Sequence, residues 1–138
     1  SFDLQLIPEV MEQASFLVQK VPELKIALCH AGSPYNRTAD GIHSWQQSLK
    51  SVSSLFNVTC KISGLGMFDH NWKTEDFKVL VETCLEQFGA KRCMFGSNFP
   101  VDSLYSDYTR LFLALKRLVP EPFHEAIFEK TASQFYKL

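Results

Sequence analysis

A fourfold alternation of short extended runs and helical stripes constrains this chain more than any other feature. Phe2 to Leu6 is an extended run. Pro8 then suits the first turn of a helix, with Val10, Ala14, Leu17 and Val18 as its apolar stripe. Lys25 to His30 (KIALCH) is a continuous apolar run ending in a polar residue, broken by Ala31-Gly32-Ser33-Pro34. Ile42, Trp45, Leu49, Val52, Leu55 and Phe56 follow at helical spacing. Asn57 to Gly66 (NVTCKISGLG) opens a third unit. Its helix has Thr74 as N-cap, a stripe from Phe77 to Phe88 and Gly89 just past the end. Arg92 to Asn98 (RCMFGSN) opens a fourth, with Tyr108, Leu111, Phe112, Leu115 and Leu118 on its helix. A last helix carries Phe123, Ile127, Phe128, Ala132 and Phe135.

Strands alternating with helices of this length predict βαβ units and a parallel α/β sheet. The unbroken apolar strands agree, because parallel strands are covered on both faces. Each run ends in polar residues at its carboxyl end, where such folds gather ligand-binding groups. Four βα units are also half of the eight in a closed barrel. A half-barrel leaves two parallel edges and one uncovered face. Either the sheet is open or other strands complete it, from another chain or from an amino-terminal part. The opening SFDLQLIPEV itself reads like the middle of a fold.

At 138 residues the chain is one domain's worth, 1–138, and its 46% apolar content excludes a disordered one. A net charge of -1 without like-charge runs argues against nucleic acid or a membrane surface as partner. No apolar run approaches the roughly 20 residues that span a bilayer, and no leader pattern opens the sequence. The four cysteines form no CxxC pair, which argues against structural zinc; they read as reduced core residues of a cytoplasmic protein. The Asn-x-Thr triplets at Asn36 and Asn57 carry little weight without such a leader.

Several residues are candidates for chemistry. His30 shares the strand phase of Ile26 and Leu28 and is open to four roles: metal ligand, base, substrate clamp or hydrogen-bonded core histidine. Lys61, with Thr59 and Ser63 in phase, binds an anionic substrate or else snorkels at a strand edge. Asn98 ends the last run. Its amide orients water or bonds a carbonyl but cannot serve as a base; otherwise it is a turn residue. Asp102 is a cap or a displaced acid. His70 and Asp69 are outside candidates, and His43 and His124 read as surface or loop residues. SGLGMFD lacks the third glycine of a dinucleotide fingerprint, and no GxSxG elbow occurs.

IALCHAGSP, VTCKISGLG and RCMFGSNFPVD, with TASQFYKL at the end, together resemble the carboxyl-terminal half of the amidohydrolase-related family. The branch they resemble contains sugar lactonases and the pyrone dicarboxylate lactonase. The resemblance implies a (β/α)8 barrel, with these units as strands five to eight. It implies hydrolysis of a lactone or related ester or amide by an activated water. A bound divalent metal such as zinc, or polar side chains, would polarise the carbonyl, and a strand-eight Asp would activate the water. His30 falls on the family's HxG-type histidine, a metal or substrate ligand. Lys61 and Ser63 fall on the segment facing a lactone or carboxylate-bearing substrate. Asn98 falls on the usual position of the Asp.

Two departures stand out. The family's HxH pair on the first strand is absent from this sequence, and one histidine cannot make a three-ligand catalytic site. Asn98 replaces the Asp, leaving Asp102, set apart from the strand end by Pro100, as a candidate base. The expectation is a hydrolase segment, weakly active or inactive alone, binding no metal tightly alone, and completed by a missing amino-terminal half or another copy. The alternatives are a non-catalytic remnant that associates through open sheet edges and a flavodoxin-like binding module.

Overall fold

The structure is a computed structural model describing all 138 residues. Four strands, β1 (Phe2–Leu4), β2 (Ile26–Leu28), β3 (Val58–Ile62) and β4 (Cys93–Phe95), form one parallel sheet in sequential order. Ile26 registers with Phe2 and Val58, and Cys60 with Cys93. β1 and β4 each pair on one side only, so both sheet edges are open. The helices are α1 (Met11–Val18), α2 (Ala39–Ser53), α3 (Lys78–Phe88), α4 (Tyr108–Leu118) and α5 (Thr131–Tyr136).

Alternation along the strands sorts the sheet's two faces. Ile26, Leu28, Val58, Cys60, Ile62 and Cys93 join the main core beneath the helices, with Trp45, Leu49, Leu80, Leu111 and Leu115. Ala27, Thr59, Lys61 and Met94 belong to the opposite, inner face. There Ala27 and Met94 are covered by Phe135, with Ala132 and Tyr136 beside it. So α5 lies against the inner face and not among the outer helices. A π-type turn at Ala126–Lys130 leads into it.

Capping explains two helix starts. Thr38 accepts the Gly41 N–H at 3.1 Å and Asp107 accepts the Arg110 N–H at 2.8 Å. Thr74 is not the N-cap expected of it: a 3-10 turn covers Thr74–Phe77, and Asp76 accepts the Lys73 N–H at 2.7 Å. Gly89, at φ 73°, does end α3. Leu17 is 66% exposed, because α1 turns Met11, Ser15 and Val18 inward instead. Phe56, 77% exposed, lies beyond α2. All four cysteines are free, and all but Cys29 are buried. No helix is long and apolar enough to cross a membrane.

Candidate active site

The strands end earlier than the apolar runs do, and this redirects the site residues. β2 stops at Leu28. His30 and Ala31 then take left-handed conformations, at φ 54° and 51°, and Ser33 does the same at 54°. Non-glycine residues pay for that backbone, and such strain concentrates at functional sites. Continued alternation would have sent His30 toward the helices with Ile26 and Leu28. The turn instead brings its ring to Ser63, beyond the end of β3: His30 Nδ1 lies 3.0 Å from Ser63 Oγ, and the His30 N–H donates to the same oxygen at 3.3 Å.

Two glycines make room for this contact. A Cβ on Gly64, itself at φ 59°, would stand 2.6 Å from His30 Nδ1. A Cβ on Gly96 would stand 3.0 Å from Ser63 Cβ and 3.1 Å from the Lys61 stem. His30 is half-buried and Ser63 is buried.

Asn98 is likewise not on a strand, since β4 ends at Phe95. It adopts φ 56°, which asparagine tolerates better than most residues. Its backbone carbonyl accepts the Asp102 N–H at 3.1 Å, and its side-chain amide donates to Asp102 Oδ1 at 2.7 Å. The turn thereby returns Asp102 to the site, where it is 2% exposed. Burial pushes the Asp102 carboxyl above its ordinary value, against the opposing pull of the Asn98 hydrogen bond and of His30. Burial also lowers the pKa of His30, while the charge of Asp102 works the other way. Each group thus feels the other.

Lys61 lies deeper on the inner face. Its Nζ contacts Asp3 Oδ2 at 2.6 Å and sits 5.2 Å from the Tyr136 ring. The Tyr136 hydroxyl donates to Asp3 Oδ1 at 2.7 Å. Desolvation of Lys61 would depress its pKa, but the bonds with Asp3 and Tyr136 prevail and raise it. Asp3 and Tyr136 had no signal in the sequence, because they meet only through the fold. At the rim, the His70 ring stacks on Tyr105 at 3.7 Å, joining the loops after β3 and β4. Asp69 caps its own loop by accepting the Asn71 N–H at 3.0 Å. His43 is exposed, and His124 bonds the Val119 carbonyl at 2.9 Å.

The structure therefore brings His30, Ser63, Asn98 and Asp102 together at the carboxyl ends of three strands, with Lys61 below them. For a catalytic divalent metal this set is short. Such zinc sites use three protein ligands, and no three His, Cys, Asp or Glu side chains converge here. His30 and Asp102 would give two, so this chain's own residues do not fit the ion.

Comparison with known proteins gives the family and the fold. The Amidohydrolase family model matches residues 1–138. The uncharacterized protein y4mH of Sinorhizobium fredii is 37% identical over 143 residues, covering 100% of this chain and 47% of that protein. An L-fucono-1,5-lactonase of Burkholderia multivorans is 29% identical over 103 residues, covering 67% of this chain and 34% of the enzyme. An amidohydrolase of Burkholderia multivorans, crystallised with bound zinc, superposes with a TM-score of 0.88 at 24% identity, covering 99% of this chain and 52% of that one. Amidohydrolase 2 of Bifidobacterium longum superposes with a TM-score of 0.73 at 26% identity, covering 99% and 49%. The chain spans about half the length of y4mH and less of the lactonase. It belongs to the amidohydrolase family and holds four of the eight βα units of that family's barrel.

Proposed function

We propose that this chain contributes half of the active site of a hydrolase that opens a lactone, or a related ester or amide, by attack of water on the carbonyl carbon. The observation that carries the reading is the convergence of His30, on strained backbone, and buried Asp102, held by Asn98, near enough that each charge acts on the other. Water places its oxygen on the carbonyl carbon and yields a proton to Asp102. His30 polarises the carbonyl oxygen. When the tetrahedral intermediate collapses, the bond to the leaving oxygen or nitrogen breaks, and that atom receives the proton from Asp102. A carboxyl whose pKa burial raises above its ordinary value is a stronger base than a free one, which favours the first transfer.

Asn98 is then a positioning residue for the base, which explains an amide where the family places an acid. Neither Lys61 nor Ser63 is assigned to direct substrate contact: the ammonium is paired with Asp3 and the hydroxyl is engaged by His30. The Lys61–Asp3 pair, its charges offsetting each other, forms the floor beneath the site. The other barrel half completes the site. The open β1 and β4 edges support this, as does the exposed Phe2 on β1. A divalent metal would need its remaining ligands from that half.

The test is steady-state hydrolysis of a panel of sugar 1,4- and 1,5-lactones by the full-length protein. Asp102→Asn should lower kcat by about 100-fold or more, the range of general-base catalysis. No turnover of any lactone, or an Asp102→Asn variant with unchanged kcat, would sink the reading.

A further inference from the structure

We propose that Ser63 sets the tautomer of His30: its hydroxyl hydrogen goes to Nδ1, and the ring proton is thereby placed on Nε2. The argument is a count of hydrogens. Ser63 Oγ already accepts the His30 backbone N–H at 3.3 Å and lies 3.0 Å from Nδ1. These are its only hydrogen-bond partners. If Nδ1 carried the ring proton, Oγ would accept twice, and its own hydrogen would be left without an acceptor. Ser63 is 2% exposed, so water does not readily supply one, and native interiors avoid unsatisfied buried donors. If Ser63 donates, one hydrogen is given and one received, and Oγ, Nδ1 and the His30 backbone N–H are all satisfied.

The neighbouring residues hold this arrangement in place. Gly64 and Gly96 leave only the room the pair fills, since a Cβ on Gly64 would stand 2.6 Å from Nδ1 and one on Gly96 3.0 Å from Ser63 Cβ. The left-handed backbone of His30, at φ 54°, aims its ring at Ser63. In this tautomer Nε2 is an N–H donor and not a lone pair. It is built to bond an oxygen that gains negative charge, and it would have to reverse its proton before it could ligate a cation. Ser63 is thus a positioning residue acting through His30, and this deepens the hydrolase reading, on which it rests for its catalytic consequence.

The experiment uses full-length protein labelled with 15N-histidine, with no substrate present. A two-bond 1H–15N correlation reports which ring nitrogen is protonated, and His30→Gln assigns the signal. The expected pattern is a bare Nδ1 and a protonated Nε2. Ser63→Ala should move the signal toward a mixture of tautomers, and Ser63→Thr, which keeps the hydroxyl, should restore it. With a lactone substrate, Ser63→Ala should lose about 10- to 100-fold in kcat, with less change in KM, and Ser63→Thr should recover most of it. A protonated Nδ1 in the wild type would overturn the proposal, even if no Ser63 variant folds. So would a Ser63→Ala spectrum identical to wild type. If no lactone is hydrolysed but the Nε2 proton and its dependence on Ser63 are seen, the hydrolase reading fails and the Ser63 assignment stands.

Discussion

The Asn98 amide donates to Asp102 Oδ1 at 2.7 Å, and the Asn98 carbonyl accepts the Asp102 N–H at 3.1 Å. Two bonds across one turn fix a carboxylate that burial would otherwise penalise. Replacing Asn98 by Asp keeps the turn, since Asp also tolerates φ near 56°. It also sets a second carboxylate against Asp102, and like charges raise one pKa of the pair. The acid limb of kcat/KM should therefore move to higher pH in Asn98→Asp. A pH–rate profile of both proteins checks this, and a limb that moves down or stays put contradicts the assigned role.

Asp102 should also cost stability. Its folded pKa is raised above the unfolded one. The folded state then binds more protons between the two values, so stability falls as pH rises through that window. At neutral pH the full penalty applies. Asp102→Asn should remove it while still accepting from Asn98, raising Tm by a few degrees, as about 1 kcal/mol would. The gain should fade in acid. Thermal melts at neutral and acidic pH test both statements; a variant less stable at neutral pH would refute them.

His30 carries the opposite sign. Burial depresses its pKa in the fold, so the unfolded state binds its proton first. The contribution of His30 is complete above the ordinary histidine value and is lost as pH falls through the depressed one. Urea midpoints of wild type and His30→Gln should diverge less and less as pH drops below about 6.5. A difference independent of pH would show that His30 titrates no differently in the fold.

Gly64→Ala should injure the site more than the fold. The position is left-handed, which costs about 1–2 kcal/mol for a residue with a Cβ. That Cβ would also lie 2.6 Å from His30 Nδ1. The expected result is a stable but less stable protein with hydrolysis reduced about 100-fold or more, since displacements near 1 Å have such effects. Activity per folded molecule, with the folded fraction from circular dichroism, is the measurement; wild-type activity would show that the ring's seat on Gly64 is irrelevant.

Phe135→Ala tests the inner-face cover. Phe135 packs on Ala27 and Met94, and truncating a buried Phe costs about 3–5 kcal/mol. Because Phe135 is 7% exposed, the lower end of that range is expected. Urea denaturation of the full-length protein would show it, and a loss under 1 kcal/mol would mean that α5 is dispensable there.

Periodicity revealed the βα order, because alternating strands and helical stripes are local patterns. It overran their ends. His30 continues the apolar run of KIALCH, yet three left-handed residues turn it away. Such turns are usually announced by glycine; Gly32, at φ 71°, gives that sign, but the left-handed His30, Ala31 and Ser33 around it do not. Asn98 is legible as a polar end to RCMFGSN, but its bond to Asp102 depends on a turn through Pro100 that side-chain type does not specify. Ser63 was legible as a strand-phase residue facing the site, whereas its hold on His30 spans 33 positions. The pairing of Lys61 with Asp3 spans 58 and left no local trace.

The bond between Tyr136 and Asp3 joins residues 133 positions apart. During synthesis, β1 leaves the ribosome long before Tyr136 is made. The outer layer can condense unit by unit, since each helix closes a short loop. The support beneath Lys61 cannot, because α5 is translated after all four strands. A stalled nascent chain lacking α5 would hold Asp3 and Lys61 without Tyr136, and Ala27 and Met94 without Phe135. Chaperones that bind exposed apolar surface would find their target on that bare inner face until the final turn of helix emerges.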